Sequence, residues 1–270
     1  MTSPEHWRSI SHRWSLVGSP LRPTREDQEM FARSLRLPGG VPRHPLILGV
    51  TPELSALPWP IGSEVRAVDC SRDMIQAIWP GDMSAVVQAD WRTLPFSPGT
   101  FDTVLCDGGL HLLGYPEGHH QLVDSVAGVL GPLGKWAIRL FSLAADGEHP
   151  ETVWQLMEAG RLGSFHEFKL RLLMSLQESP ALGVQVDRAY DEICARCRGD
   201  WDQLARQTGW PLSEIQTLES YRGSPNRYHF LTEQQSLAAL TGEGQFRLVE
   251  RLSGTYPMAE RCPVLLLEKV

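Results

Sequence analysis

LILGVTPELSALPWPIGSEVRAVDCSRD, residues 46–73, is the stretch that decides the fold. An apolar run, Leu46–Leu48, ends at Gly49 in a turn. A second apolar run, Val65–Val68, ends at Asp69, about 20 residues beyond the turn. A strand, a tight turn, a crossover and a second strand tipped by an acid form the layout of a nucleotide-binding βαβ unit, in which the acid pairs with ribose hydroxyls. The turn reads LGVTPEL rather than GxGxxG, so a dinucleotide fits poorly.

Working outward, the alternation of strand and helix continues. A short helix or turn is expected at 51–57. A helix at 71–79 is capped by Ser71 and stopped by Pro80-Gly81. Strands follow at Ser84–Ala89, Phe101–Cys106 and Lys135–Phe141, with a helix at 117–130 before the last of them. On the N-terminal side, residues 1–38 read as two helices split by SPLRP. Thr24 can cap the second, with Asp27 three positions on, and Pro38, Gly39 and Gly40 end it. From about 150 to 222 the rhythm changes to helices only, in ETVWQLMEAG, FHEFKLRLLMSL, VDRAYDEICARC and DWDQLARQTG. A helix at 232–240 and two strands, Gln245–Leu252 and Val264–Leu267, complete the chain.

This pattern predicts an α/β fold: a doubly wound, mostly parallel, seven-stranded Rossmann-like sheet closed by an antiparallel pair. It carries an N-terminal helical lid (1–40) and a helical cap inserted after strand five (149–222). The remaining residues, 41–148 plus 223–270, form the binding domain.

Composition bounds the function. A hydrophobic content of 42% and a charged content of 21% are those of a globular protein. The net charge of −7 argues against nucleic acid as a partner, because such binding relies on clustered Lys and Arg. No apolar run approaches the roughly 20 residues that span a bilayer, and MTSPEHWRSISHRWSL has no apolar core of a secretory signal. Five scattered cysteines suit a reducing compartment, so a cytoplasmic location is expected. Nine tryptophans are an unusual number, and aromatic faces suit either a core or a cationic ligand.

Five segments in order, LILGVT, VRAVDCSRDMI, VVQADWRTLPF, FDTVLCDGG and VLGPLGKWAIRLF, resemble the class I (Rossmann-like) S-adenosylmethionine (SAM)-dependent methyltransferase superfamily. The resemblance covers roughly residues 44–145 and the final strands. It implies SAM as co-substrate or sole substrate. Gly49, Thr51 and Glu53 would lie under the methionine part. Asp69 would take the ribose hydroxyls, and Cys70 and Met74 would pack on the adenine. Asp90 would meet the adenine amino group with Trp91 beside the ring, and Asp107 and Gly108 would face the sulfonium and amino-acid end. Thr51 and Pro52 replace the family's later turn glycines, which leaves Arg13 or Arg22 to hold the SAM carboxylate.

Other candidates come from residue chemistry. Trp7 and Trp14 either pin the N-terminal helix or form a lid whose faces meet the sulfonium. His111 is the best single candidate base, since an imidazole titrates near neutrality, with His119 and His120 nearby. Tyr190 is a further catalytic candidate, beside Tyr115 and Tyr221 as pocket residues. No metal site is expected, because Cys194 and Cys197 are a lone CxxC and the histidines lack ligand spacing. The charged side of EFKLRLL reads as a solvated helix face. Three functions are open: a methyltransferase acting on a small molecule of secondary metabolism; a SAM cyclase of the azetidine-2-carboxylate synthase branch, releasing methylthioadenosine; and a non-catalytic SAM-binding protein. A dimer is compatible with each.

Overall fold

The computed structural model describes residues 4–270. Two helices, α1 (Pro4–Ser11) and α2 (Arg25–Ser34), precede the first strand, β1 (Pro45–Leu48). Then come α3 (Pro52–Ser55), β2 (Arg66–Asp69), α4 (Arg72–Ile78), β3 (Val86–Gln88), β4 (Phe101–Asp107), α5 (Glu117–Val129) and β5 (Leu130–Arg139). A two-residue strand, β6 (Ser142–Leu143), leads into α6 (Pro150–Glu158), α7 (Phe165–Ser175), β7 (Val184–Gln185), α8 (Asp187–Cys197), α9 (Trp201–Thr208) and α10 (Leu212–Ile215). The chain returns through β8 (Arg227–Tyr228), β9 (Leu231–Thr232), α11 (Glu233–Thr241), β10 (Phe246–Leu252) and β11 (Val264–Lys269).

Seven strands form one sheet in the order β10-β11-β5-β4-β1-β2-β3. The five from β3 to β5 run parallel, and β11 pairs antiparallel with both β5 and β10. The expected architecture is therefore present, with β11 inserted between β5 and β10. β1 is buried at all four positions, as expected for a strand covered on both faces. Phe31, Ile47, Leu54, Ala67 and Leu266 form the core on one side of the sheet, and Leu46, Val104, Leu122, Trp136 and Ile138 the core on the other.

Local signals set the helix starts. Thr24 Oγ1 accepts from Asp27 N at 3.1 Å and the Asp27 carboxylate accepts from Thr24 N at 2.7 Å, a reciprocal cap. Ser71 caps α4 through Met74 N. Most strand ends fall within two residues of expectation, and two strand starts are set by local structure that the pattern did not show. The third strand begins at Val86, because Met83–Ala85 is a tight helical turn capped by Asp82. β5 begins at Leu130, because Leu130 pairs with Phe101 before the chain reaches Lys135.

The segment between β6 and β8 packs around a separate core with Trp154, Phe165, Phe168, Leu172 and Ile193, which Phe141, Phe230 and Met258 from outside the segment complete. Within it α7 overturns the expectation of a solvated charged face. His166, Glu167 and Lys169 are all buried. Phe165, Phe168, Leu170, Leu172 and Leu173 cover most of the helix, and on its polar edge Arg171 forms ion pairs with Glu167 and with Glu148.

Candidate active site

The carboxyl ends of the parallel strands open into a cavity of about 730 Å³. Gly49, ending β1, has φ +97°, a conformation open to glycine and costly for other residues. Its N–H donates to Val68 O at 2.8 Å, which ties the turn to β2. A Cβ on Gly49 would point into the space between Trp91 (3.6 Å), Asp69 Oδ2 (3.9 Å) and Thr51 Oγ1 (3.9 Å). Asp69 Oδ1 accepts from Ser71 N at 2.7 Å. Burial raises the Asp69 carboxyl to about 6, against the pull of the Ser71 N–H.

Trp91 is fixed by its indole N–H, which donates to Val68 O at 2.8 Å. Its ring also lies under the β4 turn: a Cβ on Gly109 would sit 2.8 Å from Trp91 Cζ3 and 2.6 Å from Cys106 Sγ. The glycine at 109 is what allows the ring this close.

At the end of β4 the carboxylate of Asp107 meets the guanidinium of Arg139 from β5. Arg139 Nε donates to Oδ1 and Nη2 to Oδ2 at 3.2 Å. Arg139 has no exposed surface and also donates to Tyr256 OH at 3.2 Å, while Tyr256 OH donates to Asp27 Oδ1 at 2.8 Å. Burial pushes Asp107 up and Arg139 opposes that rise. Burial opposes the charge on Arg139, but Asp107 and Asp27 outweigh it and hold the guanidinium well above its ordinary value, so Arg139 stays charged.

His111 follows this strand in a tight turn. Its ring stacks on Phe230, with centroids 5.0 Å apart, and meets Tyr228 edge-on at 4.8 Å. Burial, with His119 and His229 nearby, lowers its pKa to about 3. The wall that the helical segment contributes is partly polar. Lys169 of α7 lines it, and its ammonium donates to Thr217 Oγ1 at 3.2 Å. Behind this wall His6 Nδ1 donates to Ser220 O at 3.0 Å, since a carbonyl can only accept, so Nε2 accepts from Tyr228 OH at 3.1 Å.

Residues 48–138 match the methyltransferase domain family. The chain carries a SAM-dependent methyltransferase domain. The matched span runs from the end of β1 to the end of β5 and holds Gly49, Asp69, Asp90 and Asp107. A comparison with curated proteins finds no significant sequence match. Solved structures share the fold. A Rhodobacter sphaeroides protein described as a Zn-dependent alcohol dehydrogenase has a TM-score of 0.60 at 16% identity, with all of both chains covered. The 1,6-didemethyltoxoflavin-N1-methyltransferase of Burkholderia thailandensis has a TM-score of 0.53 at 16% identity, over 100% of this chain and 92% of that one. A SAM-dependent methyltransferase of Aquifex aeolicus has a TM-score of 0.51 at 12% identity, with both chains fully covered. Among the described residues no group of three His, Cys, Asp or Glu side chains is placed to hold a metal ion, and no helix is long and apolar enough to cross a membrane.

SAM fits the methyltransferase cavity. The Gly49 turn leaves a hollow where a side chain would stand, and Asp69 keeps Oδ2 beside that hollow. Trp7, Trp14, Thr51, Cys70, Met74, Asp90, Trp91, Asp107, Gly108 and His111 line the same cavity, so most of the sequence-derived candidates come together.

Others do not, or arrive in a different chemical state. Glu53 is outside the lining and is paired with Arg22, whose Nε donates to Oε1 at 2.8 Å. Arg22 is thereby engaged, and Arg13 is the arginine that reaches the cavity. Asp90 places both oxygens on its neighbour Arg92, with Nη2 donating to Oδ2 at 2.5 Å. Asp107 is bound by Arg139 and is no free base. His111 lies in the cavity but has lost the basicity expected of it, because desolvation penalises the imidazolium. Tyr190 lies outside the cavity, with its hydroxyl 3.4 Å from Glu219 Oε1. Tyr115 packs on His119, outside it as well. His119 Nε2 donates to Leu110 O at 3.0 Å, and His120 sits 4.0 Å from Glu243. Tyr221 does line the cavity. Lys169, Thr217 and Arg139 were not anticipated. For Lys169 the available signal was a helix with apolar residues over most of its surface.

Proposed function

We propose that this methyltransferase acts on a small molecule held between the strand ends and the helical cap. The carrying observation is the shape of the cavity. Its lining joins Gly49, Asp69 and Trp91 from the strand ends to Lys169, Thr217 and Tyr221 from the helical segment. The space is enclosed enough to favour a compact acceptor over a macromolecular surface, and the negative net charge agrees. The chain divides accordingly into a lid (1–40), a SAM-binding domain (41–148 plus 223–270) and a cap (149–222).

Within the site, Asp69 takes the ribose hydroxyls through Oδ2 and the free lone pairs of Oδ1. The Gly49 turn and Thr51 border the methionine part, and Met74 and Cys70 border the adenine. Asp90 stands where the adenine amino group would lie, but both its oxygens already accept from Arg92, so a contact with the adenine has to share an acceptor with that arginine. Arg13 is the candidate partner of the SAM carboxylate, and Trp7 and Trp14 present aromatic faces to the positive end of the donor. SAM supplies the methyl group. The protein aligns the acceptor nucleophile and excludes water, which is sufficient for an acceptor that is unprotonated at its reacting atom.

The cyclase reading is not favoured. A carboxylate such as Asp107 near the SAM amine would suit cyclisation, and here that carboxylate is committed to Arg139. The test is a crystal structure with S-adenosylhomocysteine (SAH). The expected result is the ribose on Asp69 with the cap end of the cavity still open. Ligand filling the cap end, or lying away from Asp69, would contradict the proposal.

A further inference from the structure

Lys169 is a buried cation with no counter-ion. It is 2% exposed, on a helix whose other contacts are mostly apolar. Among the described residues its ammonium has one hydrogen-bond partner, Thr217 Oγ1, and lies over the faces of Tyr221 (4.6 Å) and Phe165 (5.7 Å). Thr217 donates its own proton to Glu214 O at 2.6 Å, so its oxygen is purely an acceptor toward Lys169. The groups packed around the ammonium offer no negative charge. Burial lowers His6 and His166 to about 4 and raises the Tyr221 hydroxyl, so all three are neutral near pH 7. Glu214 on α10 stands 4.0 Å from His166 Nε2 and forms no ion pair with Lys169.

An ammonium taken out of water without an anion is costly, and burial lowers Lys169 to about 7. A fold that needed only packing here would be better served by a Met of similar volume. Lys169 is one of the residues that line the cavity, together with its partners Thr217 and Tyr221.

We propose that Lys169 receives a carboxylate of the methyl acceptor, so that the substrate is a small apolar or aromatic acid. This rests on the methyltransferase reading of the cavity. Of the other cations in the lining, Arg92 is paired with Asp90, Arg227 donates to Leu182 O and Gly183 O, and Arg13 is assigned to the donor's carboxylate, so a monoanion matches the one ammonium left for the acceptor. A phosphate dianion would ask for more donors than one ammonium supplies. The surrounding wall, with Leu21, Leu112, Phe141 and Leu170, suits an apolar body behind the acid.

The test uses the full chain saturated with SAH at pH 7. Thermal unfolding is followed with matched pairs: benzoate and benzamide, 4-hydroxybenzoate and 4-hydroxybenzamide, indole-3-acetate and indole-3-acetamide. In at least one pair the acid is expected to raise Tm more than its amide, and Lys169→Met is expected to abolish that difference. The same variant should bind SAH as the wild type does and should unfold roughly a few degrees higher without ligand, since a buried charge has been removed. Equal shifts for acid and amide in every pair would overturn the proposal. So would a loss of SAH affinity in Lys169→Met, which would assign the ammonium to the donor's own carboxylate. Failure of the wild type to bind SAH would instead refute the reading of the cavity itself.

Discussion

Asp107 at the end of β4 and Arg139 at the end of β5 form a two-bond ion pair under the floor of the cavity, with Arg139 wholly buried. β4 and β5 are neighbours, and the register places Asp107 opposite Arg139. The pair ties the acceptor side of the sheet to α2, because Arg139 also lies 3.5 Å from Asp27. Removing one partner strands a charge where water cannot reach it. Asp107→Asn or Arg139→Met should therefore each cost about 3–5 kcal/mol of stability. The double variant Asp107→Leu/Arg139→Met should recover much of that loss. Urea unfolding of the three variants checks this. Single variants within about 1 kcal/mol of wild type would show that the pair is not the anchor described.

Asp69 gives a pH dependence with two opposite signs. Its carboxyl is raised from 3.8 to about 6 in the folded protein. The folded state therefore holds the proton more tightly, and the stability due to this group is present below pH 4 and lost as pH rises through about 6. SAH affinity should move the other way. The ionised carboxylate is the better acceptor for two ribose hydroxyls, so binding should strengthen as pH rises through 6 and then level off. Calorimetric titration with SAH from pH 5 to 8 tests this. In Asp69→Ala the affinity should fall by roughly tenfold or more and the pH step should vanish.

Gly109 is the steric gate for Trp91. An alanine there would place Cβ 2.8 Å from the indole and 2.6 Å from Cys106 Sγ. Gly109→Ala should displace the Trp91 ring, lower stability by about 1–3 kcal/mol and weaken SAH binding. A shift in tryptophan emission that is absent from Trp91→Phe/Gly109→Ala would locate the effect. Unchanged emission and affinity would mean that the ring is not held by this contact.

His111 should stay neutral across the working range. Its pKa is about 3, so no titration is expected between pH 5 and 8. The ring-proton chemical shift of His111, assigned by comparison with His111→Gln, should be flat over that interval. A midpoint near 6.5 would restore it as a general base.

Much of the fold was legible because parallel strands buried on both faces read as apolar runs, as Leu46–Leu48 does plainly and Val104–Cys106 does within β4. The start of β5 was not, since LGPLG looks like a turn and becomes strand only through the pairing of Leu130 with Phe101. In the site, Gly49 and Asp69 were legible because a turn and a strand tip fix their places. Asp107 and His111 were found by position, but their chemistry depends on what surrounds them. Arg139 comes from a different strand, and the burial of His111 follows from Phe230, far along the chain. Lys169 was hidden by the ordinary expectation that charges on a helix face water.

The most direct measurement is product analysis of SAM turnover. The protein is incubated with methyl-deuterated SAM, alone and with a pool of small carboxylic acids, and products are followed by mass spectrometry. The expected result is SAH that accumulates only with the pool, together with a deuteromethyl group on one of its members. Methylthioadenosine formed from SAM alone, above the rate without protein, would contradict methyl transfer and establish SAM as the sole substrate.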